Sequence, residues 1–287
     1  MIYHFKAFAK INLYLHLQGK TDNLHIIDSL FAYTELHDSI SVEVKKNGNH
    51  AINANYSLKL NDNLIYKIIT EFLALYQKKA VLQIKHQKNI PMAAGMGGGS
   101  ANAAIIFNFL ESYFKLRLTL AEKINFTKKY GADIPFFLTN YARYIGGIGD
   151  KLEEIVHFPQ IPILIINPKS KLCTKEVFAE VKASNIRAKI IAKPTKFSNK
   201  EELIEFLENT NNDLANIALN KAKNLAKIYN YIDSSKYFVR VTGTGPTCFV
   251  IARNNSNLDE LLLDLQENFK NYLILKSNIL SNTKSHL

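Results

Sequence analysis

Residues 91–104 read PMAAGMGGGSANAA, and this stretch decides how the rest of the chain is interpreted. Four glycines fall within five residues, and a serine follows them. The preceding segment AVLQIKH (80–86) is typical of a strand, whereas the apolar residues after Ser100 recur at helical spacing. We therefore predict a glycine-rich loop that leads from a strand into the N-terminus of a helix.

Such a loop is suited to binding phosphate. Glycine backbones approach a ligand closely, and the N–H groups and dipole of a helix N-terminus attract negative charge. The sequence is not a Walker A loop, because no Gly-Lys-Ser/Thr follows the glycines. It also departs from the dinucleotide fingerprint, since Ser100 stands where a third glycine or an alanine is expected. The alternative is a tight connector without a ligand, although a connector rarely needs four glycines and a serine.

Length and patterning predict an α+β protein of two closely packed domains. A chain of 287 residues is long for one compact domain, and two prolines mark a break after residue 158. We therefore predict domains over residues 1–158 and 159–287. Apolar spacing predicts helices over 64–73, 100–110, 119–130, 174–183, 200–208, 212–230 and 257–270. It also predicts a hairpin over 141–156 and strands over 2–17, 26–44, 80–86, 163–167, 236–242, 247–252 and 272–276.

Composition argues against several classes of protein. The formal charge of +11 comes from scattered lysines, without an arginine-rich stripe or a block of like charges, so nucleic acid is not predicted as a partner. No run of about 18 apolar residues could span a membrane, and the N-terminus lacks a secretory layout, so a cytoplasmic protein without a membrane partner is predicted. Cys173 and Cys248 lie in no metal-binding spacing and are predicted to be reduced thiols.

Two charged residues stand in apolar surroundings. Lys10 lies within the apolar segment AKINLYL, and Asp133 is followed by IPFF. Burying either charge alone is costly, so pairing between them would stabilise both. Each also has an ordinary interpretation, Asp133 as a helix N-cap after Gly131 and Lys10 as an edge residue whose ammonium reaches solvent.

Three segments together resemble the GHMP kinases, the family of galactokinase, homoserine kinase and mevalonate kinase. They are AKINLYL (9–15), the glycine-rich loop (91–104) and RVTGTGPTCFVI (240–251), in the order and spacing of that family. The resemblance implies a ribosomal-protein-like N-terminal domain packed against a ferredoxin-like C-terminal domain. It also implies an active site between the domains, with ATP as the phosphoryl donor and Mg²⁺ as cofactor. The ligands of Mg²⁺ stay open.

GADIPFFL (131–138), His25 and NNDL (211–214) narrow the resemblance to family members that act on a cytidine diphosphate substrate. These members phosphorylate the 2-hydroxyl of a methylerythritol derivative in the non-mevalonate route to isoprenoid precursors. The resemblance therefore predicts ATP and a small cytidyl substrate as partners of a monomer or weak homodimer. The nearest alternative is a mevalonate- or homoserine-type kinase of the same family. A nucleic-acid-binding protein and a kinase fold that has lost catalysis are the others.

The resemblance also implies roles for individual residues. Asp133 is expected to contact the substrate as general base, and Lys10 to orient Asp133 and keep it ionised. The expected substrate contacts are Asn12, His25, Phe178, Gly243 and Thr244, with Asp213 in a segment that lines the cleft. The expected ATP contacts are Asn63, Leu64, Pro91, Met92, Ala93, Ala94, Gly95, Met96, Gly97, Gly98, Gly99, Ser100 and Ala101.

Ordinary alternatives stay open for three of these positions. His25 lies in a polar segment and could simply be solvated. Phe178 could belong to the core face of a helix, and the glycines at 243 and 245 could form a plain turn between strands. Gly97→Val is predicted to abolish nucleotide binding while the fold stays intact, because the new side chain would enter the phosphate position.

The chain departs from the family pattern at two of the positions near the ligands. Leu24 stands where a tyrosine is usual, and Ala101 stands where a second serine is common. Leucine has no aromatic face, so stacking on the cytosine is predicted to be weaker here. Ser100 remains available to contact phosphate or metal.

Overall fold

A long antiparallel hairpin of β1 (Ile2–Thr21) and β2 (Leu24–Lys45) forms the centre of the fold. The computed structural model describes residues 1–21, 24–182, 186, 188–254 and 256–283 of the chain. Three register irregularities interrupt the hairpin, and two of them flank the segment that contains Lys10 and Asn12. Such irregularities bend a strand and re-aim its side chains. Both residues are therefore carried by a sheet rather than by a loop.

The N-terminal half packs helices against this hairpin. Its elements are β3 (Ala51–Ala54), α1 (Leu64–Leu75), β4 (Val81–Gln87), α2 (Gly98–Tyr113), α3 (Leu120–Thr127), α4 (Ile134–Phe137), β5 (Arg143–Gly147) and β6 (Lys151–Glu154). The apolar spacing that predicts α1 is its buried face, which includes Ile68 and Phe72. These side chains share a core with Phe107 of α2 and Val42 of β2. Because burying each such side chain contributes about 1.5–3 kcal/mol, this core fixes α2 and the loop before it.

The second half alternates helices and strands as the sequence predicts. Its elements are β7 (Ile161–Asn167), α5 (Thr174–Ala179), α6 (Lys200–Glu208), α7 (Ala215–Lys221), α8 (Lys223–Tyr231), β8 (Tyr237–Val241), β9 (Cys248–Ala252), α9 (Leu258–Asn268) and β10 (Leu273–Ile279). Helices α7, α8 and α9 bury residues such as Leu225 and Leu265 against the apolar strands β7 and β9. This packing fixes the position of the turn between β8 and β9.

The strands join into one mixed sheet. Its main order is β3-β4-β2-β10-β7-β9-β8, with β1 and β5 beside β2, and β6 beside β5. All named strand pairs are antiparallel except β3 with β4. The proposed domain boundary after residue 158 falls in the connection between β6 and β7. The two halves meet where Ile279 of β10 pairs with Thr34 of β2.

Some element boundaries differ from the sequence prediction. The helix predicted over 212–230 is two helices, because the ψ of 86° at Ala222 lies outside the helical range and breaks the helix. The helix predicted over 174–183 ends at Ala179, and residue 183 lies outside the described residues. Strand β3 and the four-residue helix α4 are not predicted, since both are too short to show a period.

Candidate active site

A cavity of about 970 Å³ opens where β1, the glycine-rich loop, α5 and the turn between β8 and β9 meet. Its lining includes the predicted residues Lys10, Asn12, His25, Asn63, Leu64, Pro91, Met92, Ala93, Ala94, Gly95, Met96, Gly97, Gly98, Gly99, Ser100, Asp133, Phe178, Gly243 and Thr244. Ala101 does not line this cavity: its side chain is buried in the N-terminal core, beside a second groove behind α2. The volume suits small-molecule ligands.

Two glycines of the loop are required by packing. Gly95 and Gly97 have left-handed φ angles of 72° and 67°. A Cβ at Gly95 would lie 2.8 Å from the carbonyl oxygen of Gly245, so the loop rests directly on the turn between β8 and β9. A Cβ at Gly97 would lie 2.8 Å from the buried ring of Phe137. The prediction that Gly97→Val leaves the fold intact is therefore wrong, because backbone and packing both exclude a side chain there.

Gly99 is different, because the space beside it is open. It lies in the first turn of α2, is exposed, and lines the cavity. A Cβ at this position would meet Leu64 Cδ1 at an ordinary 3.6 Å. The first N–H groups of a helix have no partner within it, and the N-cap residue Gly97 has no side chain to satisfy them. The start of α2 thus offers free donors and positive dipole to an anion in the cavity.

Lys10 lies beside the loop and is almost inaccessible to solvent. Its backbone N–H donates to the carbonyl of Met96 at 3.0 Å, which ties β1 to the loop. Its Nζ donates to Asn12 Oδ1 at 2.6 Å and lies 3.5 Å from Asp133 Oδ2. Burial lowers the pKa of Lys10 from its ordinary 10.5, and the carboxylate of Asp133 opposes this shift. The interpretation of Lys10 as a solvent-reaching edge residue is therefore wrong, whereas its predicted pairing with Asp133 is present.

Asp133 occupies the N-cap position of α4, but its side chain makes no capping hydrogen bond. The side chain is 36% exposed and lines the cavity. Ile134 and the residues after it are buried, so the short helix is anchored while the carboxylate is left free. A carboxylate with unused lone pairs near a cation can accept a proton from a bound hydroxyl group.

The middle of the cavity is fixed by Asn12 and the turn between β8 and β9. The Asn12 N–H donates to Thr242 Oγ1 at 2.7 Å, and its side-chain amide donates to Ser29 Oγ at 3.1 Å. Gly243 has a φ of 56°, and a Cβ there would lie 3.1 Å from Asn12 Oδ1. Thr244 Oγ1 lies 3.2 Å from Thr174 Oγ1 of α5. The turn is therefore more than a connection between strands, since it closes one wall of the cavity.

His25 and Phe178 form the far end of the cavity. Their rings stack at a centroid distance of 5.1 Å with 29° between planes. His25 lies near the start of β2 and is not a solvated loop residue, while Phe178 also packs on the core of the second half. Burial, reinforced by the charge of Lys20, lowers the pKa of His25 from its ordinary 6.5. This end therefore presents a neutral imidazole and an aromatic face, with Leu24 half exposed at the rim.

The residues near the predicted adenine position also support the scaffold. Asn63 caps α1 by accepting from the N–H of Ile65 at 3.0 Å, and its amide donates to Tyr56 Oη at 3.3 Å. Asp213 does not line the cavity, because its carboxylate accepts from the N–H of Leu17 at 2.8 Å. Its neighbour Asn212 donates to the carbonyl oxygen of Gly243 at 2.7 Å. The NNDL segment thus supports the cavity wall from behind.

Several cavity residues escape sequence reasoning. Lys88, Asn102, Thr174 and Lys175 line the cavity but were not predicted. Lys88 lies between the end of a strand and the loop, and this position could have indicated that it contacts a ligand of the loop. Among the described residues, no group of three or more histidine, cysteine or acidic side chains could hold a metal ion.

Comparison with known proteins agrees with this geometry. The family description "GHMP kinases N terminal domain" matches residues 63–141, and "GHMP kinases C terminal" matches residues 196–271. The fold is similar to a crystal structure of 4-(cytidine 5'-diphospho)-2C-methyl-D-erythritol kinase, with a TM-score of 0.72, 21% identity, and coverage of 97% of this chain and 100% of that one. A crystal structure of mevalonate kinase gives a TM-score of 0.67 at 14% identity, covering 97% of this chain and 99% of that one. The predicted α+β, two-domain GHMP kinase fold is confirmed.

Curated relatives identify the family within the GHMP kinases to which the chain belongs. The chain is 30% identical over 275 residues to the 4-diphosphocytidyl-2-C-methyl-D-erythritol kinase of Francisella tularensis subsp. novicida (strain U112), with 95% of each protein covered. It is 29% identical over 288 residues to the enzyme of the same name from Ehrlichia canis (strain Jake), covering 97% of this chain and 99% of that protein. The chain is a kinase of the GHMP class, and within that class it belongs to the family of the 4-diphosphocytidyl-2-C-methyl-D-erythritol kinases.

Proposed function

We propose that this chain transfers the γ-phosphoryl group of ATP to the 2-hydroxyl of 4-diphosphocytidyl-2-C-methyl-D-erythritol, a step of the non-mevalonate route to isoprenoid precursors. The observation that carries the proposal is the placement of Asp133, paired with Lys10, in the same cavity as the exposed start of α2. Phosphoryl transfer requires a phosphate cradle, charge neutralisation and a group that activates the attacking hydroxyl. Family membership supports this choice of substrate.

The chemistry can be assigned to residues in order. The first turn of α2 binds the phosphates through backbone N–H groups, and its dipole favours their negative charge. Asp133 accepts the proton of the attacking hydroxyl, while Lys10 lies beside its carboxylate and Asn12 fixes the Nζ of Lys10. Magnesium, when bound with ATP, neutralises phosphate charge. Ser100 and Asp133 line the cavity with the oxygen donors that this ion prefers.

The far end of the cavity favours a cytidyl substrate over the other substrates of this class. Phe178 offers an aromatic face for a base, and a neutral His25 can hydrogen-bond to the polar edge of that base. Mevalonate and homoserine contain no base, so neither would use these residues. This argument supports the cytidyl substrate over the alternative within the family.

A coupled assay of ADP release tests the proposal. Wild-type protein is given ATP and magnesium with the cytidyl substrate, with mevalonate or with homoserine. We expect turnover with the cytidyl substrate alone. Turnover with mevalonate or homoserine, and none with the cytidyl substrate, would overturn the proposed substrate. A steep salt dependence of RNA affinity without any ATP binding would instead favour a nucleic-acid-binding protein.

The remaining parts of the proposal concern the surroundings of the enzyme. We propose a cytoplasmic monomer or weak homodimer that binds small molecules and no nucleic acid. Its lysines are scattered rather than grouped into a basic stripe. In the described ranges, no helix has the length and apolar character that a membrane crossing requires. Gel filtration over a range of protein concentrations would test the oligomeric state.

A further inference from the structure

Asp38, in the middle of β2, is a fully buried carboxylate with an unusual number of donors around it. Oδ1 accepts from the backbone N–H groups of Asn89 and Ile90, both at 2.8 Å. Oδ2 accepts from Asn102 Nδ2 at 2.9 Å and from Lys88 Nζ at 2.5 Å. Burial alone would raise the pKa of Asp38, but these bonds and the nearby imidazole of His86 hold it well below its usual range.

These donors come from both sides of the glycine-rich loop. Residues 88–90 lie directly before the loop, and Asn102 lies in the first turns of α2, directly after it. One carboxylate therefore fixes the point where the chain enters the loop and the helix where it leaves. Asp38 itself does not line the cavity, so it can act only through the groups that it holds.

Lys88 is the charged group among them that reaches the cavity. Its side chain is only 13% exposed, and a Cβ on Gly98 would come within 2.7 Å of its Nζ. Burial lowers the pKa of Lys88, and Asp38 opposes that shift. The Nζ of Lys88 is thus held beside the first turn of α2.

We propose that Asp38 is a positioning residue for the nucleotide: it holds the loop and the Lys88 ammonium in the arrangement that binds ATP. It acts on nucleotide affinity rather than on the transfer step, because the side chains of Lys10 and Asp133 contact Asn12 and each other, not Asp38 or Lys88. The inference rests on the proposed function, since it takes the ligand of the loop to be ATP.

Asp38→Asn tests this role with a matched control in the same strand. Asparagine keeps the shape but loses the charge and one acceptor. We expect Kd and KM for ATP to rise about 10–100-fold, the range found when a group that orients ligating side chains is removed. We expect kcat and KM for the cytidyl substrate to stay within about threefold. Asp28→Asn is the control, because Asp28 is also buried and paired with a lysine, Lys193 at 2.9 Å, but contacts nothing in the loop.

Asp38→Glu keeps the test decisive if Asp38→Asn does not fold. Glutamate restores the charge but moves the carboxylate by one methylene, so positioning predicts that ATP affinity stays weak. Wild-type ATP affinity in folded Asp38→Glu, or equal losses in Asp38→Asn and Asp28→Asn, would overturn the inference.

Direct binding of ATP separates this outcome from failure of the proposed function. Isothermal titration with ATP and magnesium reports on Asp38 whether or not the cytidyl substrate is turned over. A wild-type protein that binds ATP but does not use the cytidyl substrate would contradict the proposed function alone.

Discussion

Two aspartate–lysine pairs flank the glycine-rich loop, and they are built in opposite ways. Asp38 is buried and accepts from Lys88, two backbone N–H groups and an amide. Asp133 is 36% exposed, lies 3.5 Å from Lys10, and makes no capping bond. The same two side-chain types thus form a saturated pair where the chain enters the loop and an open pair beside the loop.

The difference follows from what each carboxylate has to do. A carboxylate that holds a loop is most effective when every lone pair is bonded, because buried unsatisfied groups are costly. A general base must instead keep an acceptor free for the proton it removes. A carboxylate whose lone pairs are all bonded therefore indicates a structural role. A carboxylate with free lone pairs beside a cation indicates a catalytic role.

Asp133→Asn tests whether the open pair takes part in catalysis, and it has the largest expected effect. Asparagine keeps the shape but cannot accept the proton, so kcat should fall by about two to four orders of magnitude. ATP affinity should change little. Glu71→Gln is the control, because Glu71 is also exposed and loosely paired, with Lys129 at 3.9 Å, and does not line the cavity. Near-normal turnover in Asp133→Asn would show that this carboxylate only positions the substrate.

The saturated pair of Asp38 and Lys88 should instead affect the stability of the fold more than the open pair does. Asp38→Asn is expected to lower the free energy of unfolding by about 3–5 kcal/mol at pH 7, since it breaks a buried ion pair. The pKa of Asp38 in the folded protein lies below its ordinary 3.8, so its stabilisation is complete above that pH and is lost as pH falls further.

Urea unfolding at pH 7 and pH 3 measures this effect. The gap between wild type and Asp38→Asn should narrow by about 1 kcal/mol at pH 3, because the unfolded carboxyl is then protonated. Glu71→Gln, which removes a charge from an exposed pair, should change stability by less than about 1 kcal/mol at either pH. A gap of constant size would mean that the charge of Asp38 does not contribute.

The next test fills the open space beside Gly99 and should weaken nucleotide binding alone. Gly99→Val places a side chain at the start of α2, where the fold has room for it. Loss of one or two bonds to a charged phosphate corresponds to about 1.5–3 kcal/mol, or roughly a 10–100-fold rise in Kd for ATP. Gly146→Val is the matched control, since a Cβ there also has room but Gly146 lies in β5 and does not line the cavity. Equal ATP affinity in both variants would show that the phosphates bind elsewhere.

The smallest effect is expected at the far end of the cavity, away from both pairs. Leu24→Tyr adds an aromatic face, which contributes on the order of 1–3 kcal/mol when it stacks fully on a base. Leucine already covers part of that surface, so KM for the cytidyl substrate should fall by about threefold to tenfold, with kcat unchanged. Leu263→Tyr, at an exposed position on α9, should change nothing. If KM is unchanged but Phe178→Ala raises it sharply, then residue 24 does not face the base.

The sequence predicts those parts of the fold that repeat a period. The helices α1, α6 and α9 and most strands show buried faces at the expected spacing, because apolar periodicity and packing coincide there. The break at Ala222 has no such signal, since neither glycine nor proline marks it. The place of β10 in the middle of the sheet depends on pairings across the whole chain, which local patterns do not encode.

The candidate site likewise contains residues that the sequence predicts and residues that it does not. The glycine-rich loop, Lys10 and Asp133 are recognisable because each conflicts with its local surroundings in the sequence. Asp38 is not, since it resembles any polar residue in an alternating strand. Its donors Lys88 and Asn102 lie 50 and 64 positions away, so only the folded chain brings them together.

The position of β10 also matters while the chain is being made. The hairpin of β1 and β2 leaves the ribosome early, but the strand that pairs with the middle of β2 at Thr34 is residues 273–279. At about 5–20 residues per second, translation leaves that edge of the hairpin uncovered for many seconds. An uncovered strand edge is a template for association with other chains. The edge of β2 at Thr34 therefore stays open to such association until residues 273–279 have been synthesised, long after the glycine-rich loop.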